Sequence, residues 1–173
     1  MEFTFETTYD QKAFTSMARA LRKTIRKKRN HRSHVFGWIV VVLGLLLTLL
    51  SANGGFSIDL RTIITWLAIL LILIVMFFED PINGYIAKKR ILPGLDKSRV
   101  TFTAEGYSSM TDVGTSQFSY DKIMAIAETS DYFVFVFSAS HAQVYDKSSL
   151  LGGTVEDFHK FIEEITQKEI EKI

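Results

Sequence analysis

The stretch VFGWIVVVLGLLLTLLSA at residues 35–52, with its companion TIITWLAILLILIVMFF at residues 62–78, decides the architecture of this 173-residue chain. Each run approaches the ~20 residues that a helix rising ~1.5 Å per residue needs to cross ~30 Å of hydrocarbon. Neither holds a charged side chain, and nine residues separate them. The reading is a tight transmembrane helical hairpin, with spans 35–52 and 62–78. A cleaved signal peptide fits poorly: the first run starts late, its apolar part is long, and a second span follows at once.

Charge is distributed unevenly around that hairpin. Residues 1–34 carry nine Lys/Arg against three Asp/Glu, residues 35–97 five against four, and residues 98–173 six against twelve. Balances of +6, +1 and −6 therefore lie behind a net charge of only +1. Arg19, Arg22, Lys23, Arg26, Lys27, Lys28, Arg29 and Arg32 precede the first span, and Lys88, Lys89, Arg90, Lys97 and Arg99 follow the second. The loop from Ser51 to Arg61 offers Asp59 and Arg61 alone. By the positive-inside bias both termini face the cytoplasm, which makes this a multi-pass protein of the cell (inner or plasma) membrane. Trp38, Phe77 and Phe78 are placed for the cytoplasmic interface and Trp66 for the outer one.

Four segments follow. Residues 1–34 hold a strand and a basic amphipathic helix: Phe3, Phe5 and Thr7 alternate with Glu2, Thr4 and Glu6, and Asp10 then caps a helix. That helix shows a stripe of Phe14, Ala18, Leu21 and Ile25 and, lacking Pro or Gly before Gly37, runs on into the first span. Residues 35–78 are the hairpin. Residues 79–97 form a juxtamembrane connector, broken at Glu79-Asp80-Pro81, helical over Ile82–Leu92 and closed by Pro93-Gly94.

Residues 98–173 change period, and strands are expected around Val100–Phe102, Tyr107–Met110, Thr115–Tyr120, Ile123–Glu128, Asp131–Ser138 and Ala142–Tyr145. Tyr132–Phe137 is apolar on both faces and belongs in mid-domain. Thr154 and Asp157 open a last helix with an apolar stripe of Phe158, Phe161, Ile162 and Ile165; the pair departs from the usual capping box, which has Glu or Gln third. The fold class is thus an α+β membrane protein, a hairpin plus a small antiparallel β domain closed by a helix. About 75 residues is near the lower limit for a self-sufficient core, so the N-terminal strand is expected to complete the C-terminal sheet.

Phe118-Ser119-Tyr120-Asp121-Lys122-Ile123, Glu128-Thr129-Ser130-Asp131-Tyr132-Phe133-Val134-Phe135, the Asp146-Lys147 pair and Val155-Glu156-Asp157-Phe158-His159-Lys160-Phe161 appear in that order. In these motifs, and in the strand–helix–hairpin–domain order, the chain resembles the YcxB-like family of two-span bacterial membrane proteins. The resemblance implies a C-terminal domain similar to pleckstrin-homology (PH) folds, a bent antiparallel sheet capped by a helix. It supplies no catalytic or ligand-binding residues, and fold analogy does not establish a ligand.

Chemistry-bearing constellations are sparse. The eight cations from Arg19 to Arg32 suit anionic lipid head groups, at ~1 kcal/mol per well-placed side chain. An acidic C-terminal domain argues against nucleic acid. Cysteine is absent, so disulfides, thiolate metal sites and thiol nucleophiles are excluded. His31 and His34 lie three apart with no carboxylate or thiolate nearby in sequence and read as interfacial residues. Ser140, His141 and Asp121 are triad residue types without a nucleophile elbow. Gly152-Gly153-Thr154 opens a helix, a place that attracts anions, but lacks the Walker spacing. Thr48, Ser51, Thr62 and Thr65 are the polar residues near the spans, with no intramembrane charge for an ion path. Gly37 and Gly44 are seven apart and allow a close helix contact without forming GxxxG.

No catalytic, cofactor or metal residues emerge. The expected function is non-enzymatic, a hairpin-anchored cytoplasmic PH-like domain that binds a protein partner or its own copies. The alternative is an immunity protein whose hairpin neutralises a membrane-acting toxin.

Overall fold

A computed structural model describes residues 2–50 and 59–173. The order is β1 (Phe3–Thr8), α1 (Gln11–Lys23), α2 (Lys27–Leu50), α3 (Leu60–Phe77), α4 (Glu79–Lys89), β2 (Lys97–Phe102), β3 (Tyr107–Thr111), β4 (Gly114–Phe118), β5 (Ala125–Glu128), β6 (Tyr132–Ser138), β7 (His141–Asp146), α5 (Val155–Thr166) and β8 (Ile170–Lys172). Short 3-10 turns occupy Tyr120–Lys122 and Lys147–Ser149. The chain is α+β and divides into two compact units, Met1–Lys27 with Asp80–Ile173, and Lys28–Glu79. Most of the segment between the apolar helices, including Ser51, lies outside the described residues.

β1 pairs antiparallel with β2, from Phe3 opposite Phe102 to Thr8 opposite Lys97, although some ninety residues separate them in sequence. Strand alternation drives this pairing: Phe3, Phe5 and Thr7 point inward and are at most 2% exposed. β2, β3 and β4 continue as a meander, giving one sheet in the order β1-β2-β3-β4. The second sheet runs β7-β6-β5-β8. β8 was not expected from the sequence, and it lies parallel to β5, so the second sheet is not purely antiparallel. Gln167, at φ 53°, ends α5 in the left-handed region and turns the chain back toward β5.

The two sheets and α5 enclose an aromatic core. The Phe5 ring meets Phe158 at 4.8 Å and Phe102 at 5.8 Å, edge-on in both cases. Tyr145 is fully buried, and its hydroxyl donates to Gln143 Oε1 at 2.7 Å. β6 lies between β5 and β7, as its two apolar faces require. Phe133 and Phe135 join the aromatic core, while Val134 and Val136 pack with α1.

The buried side of α1 differs from the expected stripe. Ala13, Ala20 and Leu21 are buried, with Met17 beside them, whereas Ile25 is exposed. Small alanines let the helix backbone approach the sheet, and a reading weighted toward large side chains passes over them. Nor does α1 continue into α2. It ends at Lys23, Thr24 donates through its hydroxyl to Ala20 O at 2.8 Å, and α2 starts at Lys27. Such a back-bonding hydroxyl competes with the helical ladder without needing Pro or Gly.

Pro81 stands in the first turn of α4, where its missing amide hydrogen has no helical acceptor. α4 docks on α1 at Gly84, where an added Cβ would lie 2.7 Å from Thr15 N and 2.9 Å from its Cα.

In the other unit, α2 and α3 are long and apolar enough to cross a bilayer, and only 6% of each apolar window is buried. That low burial distinguishes them from the core helices of a globular protein. They pack on each other through Gly44 against Ile69, with Val41 and Ile69 buried between them and Gly37 facing Met76. His34 Nε2 lies 3.2 Å from Glu79 Oε2, and the Asn30 amide donates to the same carboxylate at 2.8 Å.

Candidate functional site

The eight cations read as a lipid-facing cluster have different surroundings. Arg22 grips Asp80 with two parallel hydrogen bonds, Nε to Oδ1 at 2.7 Å and Nη2 to Oδ2 at 2.5 Å. Arg19 adds a longer contact to the same carboxylate at 3.7 Å. Asp80 is buried, so this fork ties the end of α1 to the start of α4. Arg26 donates to the Ala139 carbonyl in the β6–β7 turn. Lys23, Lys27, Lys28, Arg29 and Arg32 are exposed, and the last four occupy the first turns of α2, directly before its apolar run.

The remaining candidates are held apart. His31 is exposed, whereas His34 faces Glu79. Among the described residues no group of three His, Cys, Asp or Glu side chains is disposed to hold a metal. Ser140 lies in the β6–β7 turn beside Ser138, the His141 ring packs on Phe137, and Asp121 pairs with Lys122. Gly152 and Gly153 are explained by close approach. Thr4 and Leu151 exchange backbone hydrogen bonds of 3.0 and 2.9 Å, and a Cβ on Gly152 would meet the backbone of Glu2.

The N-terminus of α5 is occupied by its own cap. Thr154 Oγ1 accepts from Asp157 N at 3.1 Å, and Asp157 Oδ2 accepts from Thr154 N at 2.9 Å. The shorter aspartate thus completes a full capping box, and its carboxylate takes the place an anion would need. Thr48 and Thr65 donate back to the carbonyls of Leu45 and Arg61, and Thr62 caps with Asp59.

A largely buried polar cluster that the sequence did not bring together lies at the end of β5. Glu128 at the end of β5 accepts from Lys147 Nζ and from His159 Nε2, the latter at 2.9 Å. Lys147 Nζ also donates to Thr129 O at 2.6 Å and stands 5.1 Å from the centre of the Phe133 ring. Side-chain exposure is 10% for Glu128 and 14% for Lys147. Burial pushes the Glu128 carboxyl up, but the hydrogen bond and charge of Lys147, with His159, outweigh it and hold the group below the usual glutamate range.

A carboxylate ending the otherwise apolar run Ala125-Ile126-Ala127 was the available signal in the sequence. Its partners lie nineteen and thirty-one residues away. The ammonium is already engaged by a carboxylate and a carbonyl, so the arrangement serves as a latch between β5, the end of β7 and α5. Asp146, its sequence neighbour, caps the next turn by accepting from Ser148 N at 2.9 Å. An open depression of about 590 Å³ adjoins this region, lined among others by Asp10, Lys12, Arg19, Ser130 and Asp131.

These features define an α+β protein in which a pair of long apolar helices is inserted between the first strand–helix unit and the rest of a two-sheet domain. Residues 102–165, from the end of β2 to the last turn of α5, match the family model described as YcxB-like protein. No curated protein matches the chain.

Proposed function

We propose that this protein is a non-enzymatic membrane component whose α2–α3 hairpin spans the bilayer and whose β domain works at the cytoplasmic face by binding a protein partner or further copies of itself. The observation that carries this reading is the outward apolar surface of α2 and α3. Phe36, Leu43, Leu47, Leu67, Leu71 and Val75 are all more than half exposed, a surface that water would penalise and hydrocarbon accepts. Lys27, Lys28, Arg29 and Arg32 before that surface fit anionic head groups and the cytoplasmic side of the bilayer.

The PH-like assignment is supported by the meander sheet β1–β4, the second sheet around β5–β7 and α5 packed through Phe158 and Ile162. The polar groups described above form hydrogen-bonded locks within the fold, which favours binding over turnover.

Alkaline extraction of membranes, followed by in-cell crosslinking of the full-length protein and mass spectrometry, tests the proposal. Retention in the extracted membrane pellet, with crosslinks concentrated on residues 98–173, is expected. Release into the soluble fraction sinks the anchor. Crosslinks to a foreign protein confined to α2 and α3 would move the binding surface to the hairpin.

A further inference from the structure

Two four-stranded sheets have four edges, and they differ in how they end. β1 is covered on its outer side: Thr4 pairs with Leu151, and Glu6 N donates to Ser149 Oγ at 2.9 Å. The end of β7 is tied to β1, with Asp146 N donating to Thr7 Oγ1 at 3.1 Å. β8 has three residues and carries Glu171 and Lys172, the short, charged design that blocks further pairing.

β4 has none of these protections. It runs five residues, Gly114-Thr115-Ser116-Gln117-Phe118, without a charge or a proline. β3 is its partner on one side, and Gly114 to Gln117 are exposed. An uncharged, unbulged edge is a template for another strand.

We infer that β4 pairs antiparallel with β4 of a second copy of this chain, about a two-fold axis at Ser116. This rests on the reading of the domain as a binding module and selects a copy of itself as the partner. The register follows from the ladder already present. Gly114 is paired with Thr111, and its carbonyl accepts from the Thr111 hydroxyl at 3.1 Å, so it faces β3. Alternation then turns the amide and carbonyl groups of Thr115 and Gln117 outward.

With Ser116 on the axis, Thr115 of one copy faces Gln117 of the other and the two exchange both backbone hydrogen bonds. Ser116 meets Ser116, and Phe118, whose ring stacks on Tyr107 of its own sheet at 5.1 Å, stands opposite Gly114, which has no side chain to clash with it. No like charges are brought opposite each other, which matters for a domain with a balance of −6. A closed two-fold pair also consumes both edges and stops at the dimer.

The axis makes a direct test. Ser116 is then a non-hydrogen-bonded pair with Cα atoms ~4.5 Å apart, inside the ~4.4–6.8 Å that a disulfide spans. These 173 residues contain no cysteine, so Ser116→Cys supplies a single thiol among them. Oxidation of intact cells with copper phenanthroline should convert it to a disulfide-linked dimer. Ser148→Cys, on an exposed turn of the same domain, should stay largely monomeric.

Adding Thr115→Lys and Gln117→Lys to Ser116→Cys places four lysines across the interface and should abolish the dimer. Both positions are exposed, so the thermal melt should not move. Equal crosslinking of Ser116→Cys and Ser148→Cys, no crosslinking of either, or persistence in the lysine variant overturns the pairing. Fractionating the same cells tells failure of the pairing from failure of the anchor. Uncrosslinked protein in the membrane pellet defeats the edge pairing alone, and protein in the soluble fraction defeats the anchor whatever the crosslinking pattern.

Discussion

Glu128 is a buried carboxylate kept charged by two partners from distant parts of the chain, and that makes it sensitive to both mutation and pH. Lys147→Met removes the ammonium but keeps the stem's bulk, leaving Glu128 with His159 alone. A loss of about 1–3 kcal/mol in unfolding free energy is expected, read by chemical denaturation in detergent. The pH dependence has a definite sign. Folding lowers the Glu128 pKa, so its contribution is complete above the ordinary glutamate range and fades as pH falls through the folded value. Melting temperature should therefore drop on acidification below about pH 4–5 in the native protein and drop less in Glu128→Gln. An identical pH profile in the two proteins would mean that Glu128 has no part in the acid response. At this scale the sequence was least informative. It supplied the basic residues but not the Asp80 carboxylate, fifty-eight positions on, that takes up Arg22.

Periodicity identified most elements because a strand or helix with one buried face must repeat at two or about 3.6 residues. Strong alternation made β1 legible, a short run apolar on both faces marked β6 as a central strand, and the end of α3 before Pro81 was legible too. β8 has three residues and no period to detect, and it exists because the turn at Gln167 brings it beside β5. The buried face of α1 was misplaced because alanine and glycine contacts depend on how closely backbones approach. That closeness yields a prediction. Gly84→Ala drives a methyl against the backbone of Thr15, which cannot rotate away as a side chain can. A destabilisation of ~1–3 kcal/mol follows, whereas helix propensity alone would make the change favourable. A rise in melting temperature for Gly84→Ala would refute the α1–α4 contact. At the other end of the domain, Thr154→Ala should cost ~1 kcal/mol through loss of the capping box, measured in the same way.

The whole molecule is a domain with its first strand and helix on one side of a long insertion and everything else on the other. Such an arrangement folds only if the two ends of the insertion are held near each other, and the contacts for this lie within the domain itself. Arg22 bonds Asp80 at 2.5 Å, Gly84 packs on Thr15, and β1 is zipped to β2 over six residue pairs. The insertion Lys28–Glu79 forms a separate unit, and nothing in the aromatic core comes from it. Loop closure grows only as the logarithm of length, so exchanging those residues for a short flexible linker changes the entropy of closing the ends little. The resulting chain, residues 1–27 joined through about eight Gly/Ser residues to residues 80–173, should be soluble and cooperatively folded. Its near-ultraviolet circular dichroism should report the packed tyrosines, and its amide spectrum should be well dispersed. The same chain without residues 1–27 should aggregate, because losing β1 strips Phe3 and Phe5 from the core, uncovers Val100 and Phe102 and leaves β2 as an open edge. A linked chain that is itself unfolded would mean that residues 28–79 supply stability to the domain. Folding of the chain that lacks β1 would mean instead that the long-range β1–β2 pairing is dispensable.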